Sequence, residues 1–316
     1  MKAPFARLWW GVLLVLVAAA CPLGCDECAD VPPLPHGGTV VVSIPPLAGL
    51  VRPLLPPNSE VRVLVPAGRS AHGYRPTPED IAAIGRADAV VLVGMNLETG
   101  MAKAVRGKLV IRMADLVGIE TDPHAGHDHD HGAHDHAHDH GPGDDPHLWL
   151  DPVLAARFVR ALPAALPESL RNDETDANAA WLAEAIDGID AEYAERLAPF
   201  AGRAIVTHHA SFNRVADRYG LEVAAVLRAI ETLEPSPAEI AAAVRAIDER
   251  GVGAVFVEPQ FGVTSATRVA DAAGVELVTL DPLGDGNWIE MMRSNLDALV
   301  RGLSAGAALT PSPAIP

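Results

Sequence analysis

Cysteine is almost absent from this chain, and the three that occur all lie between positions 21 and 28. A disulfide in the core and thiolate metal ligands in the body of the protein are therefore excluded. Aromatic residues make up only 4% of the sequence, which does not favour a large aromatic pocket for an organic ligand. Neither the twelve-residue EF-hand pattern nor a His-Glu-x-x-His helix occurs, so those two kinds of metal site are excluded as well.

Positive charge is also scarce. The chain has 24 Lys and Arg against 41 Asp and Glu, a formal net charge of −17. This balance argues against a nucleic-acid partner, because such partners need basic surfaces. It fits a protein that handles cations, although solubility alone accounts for it equally well.

The first twenty residues have the pattern of a secretory signal peptide. Lys2 and Arg7 precede an apolar run of thirteen residues, 8–20, which is shorter than the roughly 20 residues of a membrane span. The run ends in Ala-Ala-Ala before Cys21, which resembles a bacterial lipoprotein cleavage site with Cys21 as the lipidated residue. Simple cleavage after Ala20 is the alternative. We expect a tether over 21–37, in which Cys25 and Cys28 form a small local disulfide.

The segment 124–140 is the most unusual in composition. It holds eight of the thirteen histidines, interleaved with Asp, Ala and Gly. Nothing there can bury much surface, so we expect a mobile loop with low-affinity metal sites suited to Zn, Ni or Cu. An internal expression tag is the competing interpretation. The histidines are His124, His127, His129, His131, His134, His136, His138 and His140.

Beyond this segment the sequence alternates between strand-like and helix-like stretches. The alternation predicts an α/β fold with two parallel-sheet lobes, at 38–172 and 200–304, joined by one long helix within 173–199. A disordered tail is expected over 305–316. The predicted strands are 39–44, 60–65, 89–93, 109–112, 204–207, 222–227, 254–257 and 276–280.

Helix boundaries follow from capping residues and prolines. Thr77-Pro78 and Asp151-Pro152 each predict a helix start, and Ser236 with Glu239 forms a capping-box pattern. We expect the helix after Asp151 to end near 162, before Pro163. The joining helix carries apolar residues spaced by four: Trp181, Ala185, Ile189, Tyr193 and Leu197. The final helix is expected over 287–302.

Several metal-ligating side chains directly follow predicted strands. In parallel sheets ligands bind outside the carboxyl ends of the strands, so these residues are expected to meet in one cleft. Each histidine alone is more typical of an exposed loop, but the shared placement favours a site. Three imidazoles with one carboxylate suit Zn. The candidates are His72, His147, His208, His209, Glu258 and Asp281.

An ordered set of motifs over about 38–304 resembles the zinc-uptake solute-binding proteins of bacterial ABC transporters, within the wider zinc/manganese-binding family. The fold of that family consists of two (β/α) lobes joined by a rigid helix, with the metal between the lobes. This fold agrees with the alternation of strand-like and helix-like stretches in the present sequence. The motifs are VPAGRSAHGY at 65–74, the His-rich insert, DPHLWLDP at 145–152, THHASF at 207–212, EPQF at 258–261 and LDPLG at 280–284.

The resemblance implies metal ligands at His72, His147 and His209, with Asp281 as the carboxylate. In such proteins either a carboxylate or a water fills the fourth position, and Asp281 would be that carboxylate here. This chain has two adjacent histidines at the third motif, and spacing from Tyr219-Gly-Leu selects the second of them. We expect His208 and Glu258 to support the site without binding the metal.

The function implied is a receptor that delivers Zn(II) to an ABC permease. It is expected to be a monomer without enzymatic activity, in the periplasm or on the outer face of a bacterial membrane. Membrane contact is expected only through a lipid anchor. The alternatives are a manganese or iron receptor, a zinc buffer or adhesin without a permease, and a zinc hydrolase with Glu258 as its base.

Overall fold

A computed structural model describes residues 37–119, 145–228 and 234–309. The predicted signal peptide, the three cysteines and the His-rich segment 124–140 lie outside the described residues. None of the helices in the described ranges combines the length and the apolar composition that crossing a membrane requires.

Two four-stranded sheets form the framework, and every strand pair in them is parallel. The order is β2-β1-β3-β4 in the first sheet and β6-β5-β7-β8 in the second, so both halves repeat one arrangement. The predicted α/β class is confirmed. The strands are β1 (Thr39–Val42), β2 (Glu60–Val63), β3 (Ala89–Leu92), β4 (Val110–Arg112), β5 (Ala204–Thr207), β6 (Glu222–Val226), β7 (Ala254–Val257) and β8 (Glu276–Thr279).

Nine α-helices within the described ranges surround these sheets. Three of the four inner strands, β3, β5 and β7, are buried at every position, which explains their largely apolar sequences. The helices are α1 (Pro45–Val51), α2 (Pro78–Arg86), α3 (Met113–Leu116), α4 (Pro152–Ala165), α5 (Thr175–Leu197), α6 (Asn213–Arg218), α7 (Pro237–Arg250), α8 (Thr264–Ala273) and α9 (Trp288–Leu309).

Helix starts agree with the capping residues in the sequence. Thr77 and Ser236 each form a complete capping box, with Asp80 and Glu239 as the reciprocal acids. The Asp151 carboxylate accepts from the first two free amides of α4, which places the DPHLWLDP segment directly before that helix. These caps therefore fix where the loops that carry the site residues end.

Two helices run further than their sequences predict. α4 continues through Pro163 to Ala165, because a proline in the last turn removes only one backbone hydrogen bond. α9 continues beyond 302 to Leu309, so residues 305–309 are helical and not part of a disordered tail. Glycine at position 253 permits the last turns of α9 to pack closely against the loop that precedes β7. A Cβ added to Gly253 would collide with the backbone of Gly306.

The long helix α5 lies between the two sheets in sequence and packs on α4 and α9. The apolar residues spaced by four along it are not all buried, since Trp181 is 65% exposed. Steps of four residues advance about 40° beyond a full turn, so a strict spacing of four winds away from the core. The buried positions mix steps of three and four: Ala179, Leu182, Ala183, Ile186, Ile189, Tyr193 and Leu197.

Candidate metal centre

Three histidines from distant parts of the sequence meet at one point. His72 lies in the loop after β2, His147 directly precedes the 3-10 helix Leu148–Leu150, and His209 follows β5. Each offers one ring nitrogen, and the three nitrogens lie within 4.8 Å of one another. The ring centroids are 5.3, 5.3 and 5.4 Å apart. The imidazoles therefore form a nearly equilateral triangle with their nitrogens turned inward.

The separation of two of these nitrogens fits a shared zinc ion. Nε2 of His72 lies 3.3 Å from Nε2 of His147. Nitrogens that bind Zn at 2.0–2.1 Å in tetrahedral geometry are about 3.3–3.4 Å apart. The pair is thus already spaced as two ligands of one tetrahedral ion.

Asp145 fixes the orientation of His147. Its Oδ1 lies 2.6 Å from Nδ1 of His147 and accepts from the His147 backbone amide at 2.9 Å. Burial opposes the charged form of Asp145, yet the charge and hydrogen bonds of His147, with help from Arg214, hold the pKa of this carboxyl below its usual range. An ionised Asp145 keeps the proton of His147 on Nδ1, which leaves Nε2 as a metal-binding lone pair.

His209 is kept neutral by its surroundings. It is 8% exposed and continues the buried strand β5 in extended conformation. Burial first, and then repulsion from His147 and His72, lower the pKa of His209 to about 2. A neutral imidazole is the form that binds metal, so this position requires no deprotonation at physiological pH.

His208 has a different environment. Its side chain is fully buried, contacts the ring of Phe261 at a centroid distance of 5.6 Å and takes no part in the histidine triangle. Neither ring nitrogen has a hydrogen-bond partner among the described residues. Burial, followed by the charge of Arg228, lowers the pKa of His208 to about 4. Adjacent residues on an extended segment face opposite ways, which separates the two histidines.

The two acidic candidates lie at the periphery of the triangle. Glu258 lines the same pocket as the three histidines and accepts a short hydrogen bond from Ser211 Oγ. Asp281 lies outside the group of facing ligand atoms. Its carboxylate accepts from Gln260 Nε2 at 2.8 Å and from the Leu283 amide at 3.0 Å. Neither acid is therefore brought among the three imidazole nitrogens.

The histidine triangle borders two cavities. A small one of about 20 Å³ is lined by the three histidines together with Glu258 and Phe261. A larger one of about 190 Å³ is lined by the same histidines together with Met95, Asn96 and Asn213. Met95 and Asn96 both have positive φ angles, 50° and 62°, so the turn after β3 is held in a left-handed conformation. These residues could not be selected from the sequence because their side chains are uncharged, although they follow a strand end.

Two tryptophans fix the His147 segment to the second half of the chain. Trp149 Nε1 donates to the Pro282 carbonyl at 2.6 Å, and Trp288 Nε1 donates to the Trp149 carbonyl at 2.8 Å. Both side chains are buried. The segment that carries His147 is thereby held against the residues that follow β8.

Comparisons with known proteins agree with this arrangement. The family model for the zinc-uptake complex component A, periplasmic (ZnuA), matches residues 40–302. The zinc-binding lipoprotein AdcA of Streptococcus pneumoniae (strain TIGR4) is 28% identical over 304 residues, 90% of this chain. The chain spans 60% of the length of that relative.

Two further matches extend over nearly the whole length of the similar protein or domain. The manganese-binding lipoprotein MntA of Halalkalibacterium halodurans is 25% identical and covers 93% of this chain and 96% of its own length. The solved structure of the Zn(II)-bound ZnuA-like domain of Streptococcus pneumoniae AdcA is 27% identical with a TM-score of 0.63. It covers 84% of this chain and 99% of that domain.

Proposed function

This chain belongs to the zinc-uptake complex component A family, and from that premise we propose that it is a receptor which binds Zn(II) outside the cytoplasm and delivers it to an ABC permease. Zinc is the cargo and is not transformed. Two kinds of similar protein, AdcA and MntA, are described as lipoproteins, which supports a lipid anchor at Cys21 in this chain. The function requires a single chain and no enzymatic step.

The observation that carries the proposal is the convergence of three imidazole rings, those of His72, His147 and His209. Imidazole nitrogen suits Zn, whereas Mn, Mg and Ca prefer oxygen ligands. No carboxylate lies among the facing ligand atoms in the part of the chain that the structure describes. The donor set therefore favours Zn over Mn.

The fourth position is best assigned to solvent. Asp281 is not among the facing ligand atoms, and its Oδ1 accepts hydrogen bonds from Gln260 and Leu283. The large cavity beside the triangle has room for water, which occupies about 30 Å³ in the liquid. An open position of this kind also gives a route for the ion to leave.

Metal analysis with competition tests the proposal. The chain purified without a tag is expected to carry one tightly bound zinc that excess Mn(II) does not displace. A second sample with all three histidines replaced by Ala provides the control and should lose that zinc. Preferential binding of Mn(II) by the parent, or full retention of zinc by the triple variant, would contradict the proposal.

The similarity to MntA supports one alternative cargo, manganese, and the same competition decides it. A zinc hydrolase would need Glu258 as a base beside the ion. Glu258 lines the site but is engaged by Ser211. Ester and peptide substrates assayed with the zinc-loaded chain test this second alternative, and we expect no turnover.

A further inference from the structure

A short helix from the second half of the chain holds the residue that orients His147. Helix α6 begins four residues after His209 and directs Arg214 at Asp145. Arg214 donates from Nε and Nη2 to the Asp145 carbonyl oxygen at 3.0 and 2.5 Å. Its Nε also lies 3.7 Å from Asp145 Oδ2. The side chains are 14% and 6% exposed, so this contact is shielded from bulk water.

The geometry makes the position of Asp145 dependent on Arg214. Asp145 Oδ1 is engaged by the ring and the backbone amide of His147. Arg214 holds the carbonyl of the same residue and lies beside its other carboxylate oxygen. Arg214 is thus the side chain that holds Asp145 in place while Asp145 holds the ring of His147.

We propose that Arg214 is a positioning residue for the metal centre. By fixing the backbone of Asp145, and with it the place of the Asp145 carboxylate, it sets the ring orientation of His147. Because α6 follows His209 in the chain, the same helix ties His147 to His209 across the two sheets. The inference rests on the proposed zinc-binding function and adds to it a residue that touches neither the ion nor a ligand.

The next turn of α6 supplies a matched control. Arg218 Nη2 donates to Asp151 Oδ2 at 2.6 Å, and Asp151 caps α4. This is a second ion pair from the same helix to the same segment. Arg218 is bonded to Asp151, four residues after His147 in the sequence. Removing the Arg218–Asp151 pair therefore shows how much the site is disturbed when α6 merely loses one ion pair to this segment.

The test is a double-mutant cycle read by zinc affinity. Dissociation constants of the tightly bound zinc in the full chain are measured by competition with a chromophoric chelator for the parent, Arg214→Gln, Arg218→Gln, Asp145→Ala and the Arg214→Gln/Asp145→Ala double variant. Residues that orient a metal ligand typically contribute about 10–100-fold in affinity. We expect that loss for Arg214→Gln, and a change of no more than about twofold for Arg218→Gln.

The double variant distinguishes positioning from general support. If Arg214 acts by placing the Asp145 carboxylate, its replacement adds little once Asp145 is already Ala, because the two effects are not independent. The absorption bands of bound Co(II) should also shift in Arg214→Gln and stay unchanged in Arg218→Gln. Arg214→Lys, which keeps the charge but not the paired donors, should recover part of the affinity and serves if the Gln variant does not fold.

Equal affinities for parent and Arg214→Gln, or fully additive losses in the double variant, overturn the inference. Equal losses for the Arg214 and Arg218 variants overturn it too, since they would indicate a purely structural effect. A parent chain that binds no zinc is a separate result, which overturns the proposed function and this inference with it.

Discussion

Two adjacent histidines offer an internal comparison of ligand and non-ligand. His208 and His209 are both buried and both follow β5, but only His209 belongs to the triangle. We therefore expect His209→Leu to weaken zinc binding severely and His208→Leu to leave it nearly unchanged. Leucine fills most of the imidazole volume, so neither variant creates a large cavity.

The magnitude follows from the number of ligands. Structural zinc sites with four protein ligands bind with about 10–16 kcal/mol, or about 2.5–4 kcal/mol per ligand. Removing one imidazole should therefore raise the zinc dissociation constant by about 10²–10³-fold. His208 contacts Phe261 and makes no contact with the ion's expected position, so its replacement should change the constant by less than about threefold.

Chelator competition at pH 7.4 measures both constants, and circular dichroism checks that both variants are folded. The segment 124–140 should be removed from all samples, because its histidines would otherwise bind zinc as well. Equal losses in the two variants, or a larger loss for His208→Leu, would refute the assignment of His209 as the ligand.

Three other outcomes are expected. Deleting 124–140 should remove weak zinc sites and leave the tight one, as a titration against the parent will measure; loss of the tight site would mean that the segment supplies a primary ligand. Burial lowers the pKa of His208 to about 4 in the folded chain, whereas an unfolded histidine has a pKa of about 6.5. Between these two pH values the unfolded chain binds one more proton than the folded chain. The stability of the metal-free protein therefore falls as the pH drops from about 6.5 to about 4. Urea unfolding between pH 7 and pH 4 should show that His208→Leu loses less stability than the parent, by on the order of 3 kcal/mol. The same dependence of the free energy of unfolding on pH in both proteins would contradict this. Tyr193→Phe should cost about 1 kcal/mol in the same assay, because the hydroxyl donates to the Met292 carbonyl at 2.6 Å inside the core, and a neutral effect would show that this bond is dispensable.

Much of the framework could be predicted from local sequence signals. The apolar runs of β5 and β7 are confirmed to the residue, because strands buried on both faces leave no polar position to blur their limits. The capping residues Thr77 and Ser236 gave correct starts for α2 and α7. These features depend on neighbours in sequence, which is why they could be predicted without a structure.

Errors arose where tertiary packing overrides local preference. The side chain of Trp181 is exposed although it fits the apolar spacing of α5, because helix rotation and not spacing alone selects the buried face. Helix α9 passes the predicted end because Gly253 and Gly306 allow close backbone packing. Such contacts join residues far apart in sequence, and no local pattern contains them.

The candidate site shows the same division. His72, His147 and His209 could be selected from their motifs, and the structure brings them together. The roles of Asp145 and Arg214 could not be predicted, since their contact spans 69 positions. A carboxylate two residues before a candidate histidine was the available signal for Asp145. Arg214 had none, because an arginine in a short helix has no distinguishing pattern.

The most direct test of the account is an anomalous-scattering map at the zinc absorption edge, from crystals of the zinc-loaded chain lacking 124–140. We predict one zinc ion bound by ring nitrogens of His72, His147 and His209, at about 2.0–2.1 Å from each. A zinc ion held by Asp281 or Glu258 in place of any of these imidazoles, or no zinc between the three rings, would contradict the central claim.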